Sequence, residues 1–272
     1  MNLVTSTGTV VGDPTSKDGV VKFSVAARDS YVDSEGQVKS RTLLFFLAYD
    51  GNDKAEILPY IKPNARVAWS GFFTGPSFLP NEQYPNSTSI NGPTVFYDVE
   101  GTPFTALTCV AQTLKVIGPV SKKPADFDDV TTVVLAGVLG RDPELQYTQS
   151  GRAVAKNSIA AQRLRFDGEG DERQTYKITV WFRLALWGNG ADSAYKWWQK
   201  KRGIIVTGSP SVDPTTGAPN LWKSRDGEDR ASYDLNVHTW EFAPGKNGNG
   251  RAIDDTEYSE PVTTTSDEDI PF

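Results

Sequence analysis

Trp181, Arg183 and Trp187 fall at the odd positions of one alternating stretch, with Phe182, Leu184 and Leu186 at the even ones. On a β-strand successive side chains point to opposite faces. The even set therefore fills a core, and two indoles and a guanidinium point away from it. Flat rings can stack planar groups and a guanidinium can pair anions. Other chemistries lack their residues. His238 is the only histidine, so a zinc site or a serine or cysteine triad has no partner for it, and it reads as a structural histidine. Cys109, the only cysteine, lies in an apolar stretch and reads as a small buried hydrophobe, which also excludes an internal disulfide. The acidic residues lie mainly in turn-like, loop-like and C-terminal segments, not clustered as a metal-dependent nuclease would need. The chain is expected to be no enzyme, with no catalytic residue, metal or cofactor.

The elements that must position these side chains are short strands. With 24 glycines and 17 prolines in 272 residues, turns are favoured over long helices. After the Trp181–Trp187 stretch, Ala191, Ala194, Tyr195 and Trp198 have the spacing of one packed helical stripe, closed by Lys200, Lys201 and Arg202, where positive charge suits the carbonyl end. A strand over 203–208 follows. A long hairpin over 220–240 is expected to turn at Asp226-Gly227, and a counterpart at Glu100-Gly101 joins 94–99 to 104–111. The stretch 75–93, rich in Pro, Asn and Ser, reads as a long loop.

The chain repeats itself. Gly8-Thr-Val-Val-Gly-Asp13-Pro14 parallels Gly137-Val-Leu-Gly-Arg-Asp142-Pro143, and Val25-Ala26-Ala27 parallels Ile159-Ala160-Ala161. Ala48 and Ala185, Gly51 and Gly188, and Gly71 and Gly208 are paired at a single offset of 137. A duplicated unit is the simplest explanation. Four segments are expected: a diverged N-terminal unit over 1–120, a linker over 121–130, a second unit over 131–243, and a disordered acidic tail over 244–272. The net charge of −6 argues against a polyanionic partner only until it is divided. The second unit carries 15 basic and 13 acidic residues, the tail 2 and 7. Local patches matter more than the whole-chain balance. No signal-like start and no membrane-length apolar run are visible, so a soluble, cytoplasmic protein away from membranes is expected.

The second unit resembles the bacterial single-stranded-DNA-binding protein family. The resemblance is carried by Gly137-Val-Leu-Gly-Arg-Asp-Pro-Glu-Leu-Gln-Tyr-Thr-Gln-Ser-Gly-Arg-Ala-Val-Ala155, Trp181-Phe-Arg-Leu-Ala-Leu-Trp-Gly188, Gly203-Ile-Ile-Val-Thr-Gly208 and Leu221-Trp-Lys-Ser-Arg-Asp-Gly-Glu-Asp-Arg230, in that order. The closing Asp267-Glu-Asp-Ile-Pro-Phe272 is similar to the acidic tip of that family. The sequence departs at Phe182, commonly histidine in the family, and at Trp187, commonly phenylalanine. The first unit is similar mainly in its opening motif, strand pattern and glycines. The resemblance implies an all-β fold: two tandem OB-fold barrels, each with one short helix, plus the disordered tail. Most members carry one such barrel and form tetramers. A few carry two and form dimers, so a homodimer presenting four barrels is implied here, nucleoid-associated and acting on single-stranded DNA during replication, recombination and repair.

On that resemblance Trp181, Trp187 and Trp222 would stack bases, with Phe166 as a looser fourth, and Lys156, Arg163, Arg165, Arg183, Lys223 and Arg225 would meet phosphates. In the first unit Asp50 stands at the offset position of Trp187, Leu44 at that of Trp181 and Phe46 at that of Arg183, while Phe96 takes the place of Trp222. Weaker binding is expected there, through Phe46, Phe96, Lys22, Arg28 and Arg41, with Tyr31 as a further contact. In the tail, Asp267, Glu268 and Asp269 suit a basic surface. Ile270 and Phe272 suit an apolar pocket, with Pro271 fixing the chain between them. This tip would recruit replication, recombination and repair proteins.

Overall fold

The computed structural model describes residues 1–17, 19–32, 37–49, 51–75, 87–118, 129–167 and 174–243, with backbone alone at 32, 87–89, 165–167, 174 and 176. The expected tail over 244–272, most of the linker, part of the long loop, Asp50 and the side chains of Arg165 and Phe166 lie outside the described residues.

Five strands of the second half close a barrel. They are β9 (Thr131–Leu139), β11 (Ala153–Asp167), β12 (Gln174–Trp187), β16 (Tyr233–Phe242) and β13 (Gly203–Ser211). β9 pairs with β11, β11 with β12, β12 with β16 in parallel, β16 with β13, and β13 returns to β9. This is an OB-type closed barrel with additional strands and one short helix. A short β10 (Glu144–Tyr147) extends β11 at one end.

The first half pairs its strands in the same order. β1 (Asn2–Lys17) pairs with β2 (Val20–Val32), β2 with β3 (Val38–Tyr49), β3 in parallel with β8 (Leu107–Gly118), and β8 with β4 (Arg66–Phe73), which also pairs with β1. Between β3 and β4 runs α1 (Lys54–Ile57) and a single 3-10 turn, Leu58–Tyr60.

The register shows why the repeat reads as it does. β8 and β16 each carry a bulge, at Gln112 opposite Ser70–Gly71 of β4 in one and at His238 opposite Thr207–Gly208 of β13 in the other. A Cβ on Gly71 would lie 1.9 Å from the Val110 carbonyl oxygen, and on Gly208 2.2 Å from that of Asn236. Only glycine lets the backbones meet at these two bulges. Val110 and Asn236 are themselves equivalent, since each pairs with the alanine, Ala48 or Ala185, of its own parallel ladder.

The two halves share one sheet. Asn2–Ser6 of β1 pair antiparallel with 131–135 of β9, which joins all the long strands into a twelve-stranded sheet. β5 (Ser87–Ile90), from the first half, adds in parallel to 177–180 of β12. The apolar interior is likewise one cluster, running from Val4, Phe45 and Trp69 to Leu135, Phe182 and Tyr233. Phe73 bridges it, with ring centroids 5.4 Å from Phe182 and 4.9 Å from Tyr233. The Tyr233 hydroxyl donates to the carbonyl oxygens of Thr74 and Thr108.

The helix expected after β12 is α2 (Asn189–Trp197). Ala191, Ala194 and Trp198 are buried, but Tyr195 is 52% exposed, which corrects its place in the stripe. At 100° per residue it sits about 70° round the helix from the midline of the alanines. Trp198 reaches the core from an extended residue beyond the helix end. The hairpin expected over 220–240 is shorter than read. β14 (Leu221–Lys223) and β15 (Asp229–Ala231) pair as a separate ribbon turned at Gly227, and β16 leaves it to close the barrel. Its counterpart is β6 (Val95–Tyr97) with β7 (Pro103–Thr105), turned at Gly101.

Candidate nucleic-acid interface

Strand parity on β12 decides which side chains leave the core. Phe182, Leu184 and Leu186 are buried, whereas Trp181 and Arg183 are half-buried and Trp187 is exposed. On the neighbouring β11, Lys156, Ser158 and Ala160 pair with Ala185, Arg183 and Trp181 and so share that outer face. Lys156 is half-buried there. Burial lowers its pKa, Glu144 opposes the shift and Arg183 adds to it. Trp187 is oriented by its indole N–H, which donates to Asn236 Oδ1 at 3.2 Å, and by the Arg152 guanidinium 5.5 Å from its ring centre.

Arg183 is engaged by a carboxylate. The parallel ladder sets it opposite Asp234, and Nε and Nη2 donate to the two carboxylate oxygens at 2.6 and 2.5 Å. Such a bidentate pair fixes the guanidinium and offsets its charge. Arg163 lies on the opposite face of β11 from Lys156. Its guanidinium stacks on the Phe72 ring at 3.4 Å, beside Ile178 and Val180, where the two halves meet. The backbone of Arg165 and Phe166 continues β11 opposite Tyr176 and Thr175.

The β14–β15 hairpin presents Trp222, half-buried, with Arg230 directly across from it. The Trp222 indole N–H is buried without a hydrogen-bond partner. Lys223 is exposed and reaches Asp229 at 2.9 Å, and Arg225 is exposed in the turn. Arg230 is held by Asp226 and Glu228.

In the first half the corresponding register positions are occupied differently. Phe46 stands opposite Thr108 where Arg183 stands opposite Asp234, and Phe96 faces Phe104 where Trp222 faces Arg230. The rings touch: Phe46 and Phe96 are edge-on at 5.6 Å, and Phe96 and Phe104 are stacked at 5.5 Å. Lys22 and Arg28 are exposed, the latter donating to Ser40. Arg41 is buried. It is held by Asp29 at 2.8 Å and donates to the Pro210 carbonyl oxygen of the other half, with its guanidinium 5.2 Å from the Tyr31 ring. The structure thus groups Phe46 and Phe96, and keeps Arg41 with Tyr31 at the junction of the halves.

Phe104 and Tyr97 were not singled out from sequence, yet both are exposed on the β6–β7 hairpin. The signal was present. A turn centred on Glu100 pairs residues whose numbers sum to 200, which sets Phe104 across from Phe96. Arg152 over Trp187 was missed as well; only the β10–β11 hairpin brings it there.

Residues 130–243 match the single-strand binding protein family. Over that stretch the chain is similar to the family. Among curated relatives, the single-stranded DNA-binding protein of Xanthomonas campestris is 29% identical over 117 residues, 43% of this chain and 62% of the relative. That of Xanthomonas axonopodis is 28% identical over 117 residues, 43% of this chain and 59% of the relative. The match therefore spans about three fifths of the length of these two curated relatives. That of Xylella fastidiosa is 27% identical over 121 residues, 44% and 68% respectively. Among solved structures, a deletion variant of the single-stranded DNA binding protein from Thermus aquaticus superposes with a TM-score of 0.57 at 16% identity, over 89% of this chain and 94% of that one. The wild-type protein gives 0.54 at 15%, over 89% and 93%. At that identity the likeness is one of fold. Among the described residues no cluster of three or more His, Cys, Asp or Glu could hold a metal ion, and no helix is long and apolar enough to cross a membrane.

Proposed function

We propose that this protein binds single-stranded DNA without sequence preference and protects it during replication, recombination and repair. The observation that carries the reading is the outward face of β12. Trp181, Arg183 and Trp187 leave the core there, with Lys156 beside them, in the unit that matches the single-strand binding protein family. Exposed bases need flat partners and phosphates need cations, and each base stacked on an aromatic ring contributes about 1–3 kcal/mol regardless of its identity. Trp181, Trp187 and Trp222 are the stacking residues in this reading, and Lys156, Lys223 and Arg225 are phosphate partners.

The finer organisation belongs to the same proposal. The chain consists of two OB barrels, 1–120 and 131–243, joined by 121–130 and followed by an acidic tail over 244–272. The matching order of strand pairing in the two halves supports this division. Two chains associate as a homodimer. In support, the outward face of β1, β9 and β13 carries Leu3, Thr5, Thr132, Val134, Ile205 and Thr207, all uncharged. The tip Asp267–Phe272 recruits partner proteins, its acids meeting a basic surface and its Ile and Phe an apolar pocket.

The test is equilibrium binding of the full chain to oligo(dT), matched RNA and duplex DNA. Preference for oligo(dT), weakening with salt, is the expected result. Equal or tighter binding of duplex would overturn the reading. Removing 267–272 should abolish partner capture while DNA affinity holds or rises.

A further inference from the structure

Residues 119–128 lead from the first half to the second, yet both ends of that stretch come back to one residue of the first half. At its start Gly118 pairs with Arg66 in the ladder of β8 and β4. At its end the Asp129 carboxylate accepts from Arg66 Nη2 at 2.5 Å. The Asp129 side chain is 3% exposed and is held from three strands. It also accepts from Thr7 Oγ1 on β1 at 2.9 Å and from the Arg28 backbone N–H on β2 at 2.8 Å. The Asp129 N–H donates back to the Arg28 carbonyl oxygen, and Arg66 Nη1 donates to Thr9 Oγ1. Val130 then accepts from the Thr7 N–H and donates its own N–H to Thr7 Oγ1. β9 begins at the next residue, Thr131.

The duplicated fold does not require this arrangement. The repeat places Ala136 where Thr7 stands and Gly203 where Arg66 stands, so the second half has neither the hydroxyl nor the guanidinium. The joint between the halves does need something of the kind. Asn2–Ser6 and 131–135 alternate as ordinary strands do, with uncharged residues on the outward face. A slip of two residues would keep every side chain on its own face and remake the backbone bonds. A carboxylate fixed by three donors admits one register alone, because moving it leaves a buried acid and a buried guanidinium unpaired.

We propose that Asp129 is the clasp that sets the register between the two halves, and that 119–128 is a side loop closed on Arg66 rather than the joint. The length of that stretch is then nearly immaterial, since lengthening a loop whose ends already meet costs little. Through this clasp the chain fixes how the second barrel is turned against the first. The proposal concerns assembly of the halves and stands apart from the DNA reading.

The experiment is disulfide trapping in the full chain carrying Cys109→Ala, so that only introduced thiols react. Thr5→Cys with Thr132→Cys reports the native register, because these two exposed residues lie directly opposite one another and opposite residues are within disulfide reach. Thr5→Cys with Val134→Cys reports a slip of two. Both pairs are oxidised with and without about ten Gly and Ser residues inserted after Lys123. Denaturing gels separate links within a chain from links between chains. With the clasp intact, only the native pair should form, whatever the length of the loop. Asp129→Leu combined with Arg66→Met removes both charges, so that neither is left unpaired. In that background the insertion should lower trapping of the native pair about tenfold, and the slipped pair should appear. Asp129→Asn keeps the shape without the ion pair and should slip in the same direction to a smaller extent; it decides the question if the double variant does not fold. Native-only trapping in the clasp-free, lengthened chain would overturn the proposal, as would a slip produced by the insertion while the clasp is intact.

Discussion

Arg183 and Asp234 sit opposite one another in the parallel ladder of β12 and β16, joined by two hydrogen bonds of 2.6 and 2.5 Å, and Ser232 Oγ donates to the same carboxylate. The carboxylate positions the guanidinium on the outer face and also competes with any phosphate for it.

Asp234→Asn should separate those two effects. The pair is less than one-fifth exposed on either side, so removing the carboxylate should cost about 1–2 kcal/mol of stability, between the limits for exposed and buried pairs. The released cation should strengthen oligo(dT) binding at low salt and steepen the log–log salt slope by about one. Urea titration and binding isotherms measure the two effects; an unchanged slope would remove Arg183 from the phosphate contacts.

Trp187→Ala and Phe182→Ala test the two faces of one strand. Trp187 is 37% exposed and Phe182 is 2% exposed. Trp187→Ala should weaken DNA binding by about 1–3 kcal/mol and barely alter the unfolding midpoint. Phe182→Ala empties a site packed against Phe73 and Tyr233 and should cost about 3–5 kcal/mol of stability. Equal stability losses in the two would contradict the parity of β12.

Tyr49 gives a pH signature. Burial and the hydrogen bond from its hydroxyl to Asp53 push its pKa up to about 12. The unfolded chain ionises this phenol near pH 10, so the folded state holds the proton longer. The stability it provides is complete below pH 10 and falls away as pH rises from about 10 to about 12. Phenolate absorbance should show a component titrating near the top of that range and absent from Tyr49→Phe.

Gly71→Ala and Gly208→Ala should be alike in effect, because each added methyl meets a carbonyl oxygen at a bulge, at 1.9 and 2.2 Å. Each should cost about 2–4 kcal/mol by thermal or urea unfolding. A neutral outcome at only one of them would break the equivalence of the two halves.

These glycines also show how far the sequence reached. Their shared offset was legible because a bulge that admits only glycine leaves a fixed mark in both copies. The faces of β12 were legible too, since a period of two needs no tertiary knowledge. What local pattern does not carry is where distant backbones meet. Interleaving with aromatics points to cations along the sequence, yet Arg163 packs on Phe72 and Arg41 donates to Pro210, both across the junction of the halves. Tyr195 fell outside its stripe because a nine-residue helix buries only a narrow strip. The pairing of β1 with β9 gives no local signal at all, because both strands read as ordinary alternating segments.

That pairing has a consequence for how the molecule comes together. Two strands on separate chains would meet at a rate set by concentration, and dilution would part them. Here Asn2–Ser6 and 131–135 are tethered by one covalent chain, so their encounter is unimolecular, at an effective concentration set by the intervening chain and independent of dilution. A fragment ending before β9 or beginning at it would present a bare strand edge, a template for another copy. Separated halves should therefore self-associate with concentration, whereas the intact chain holds this joint closed at any dilution.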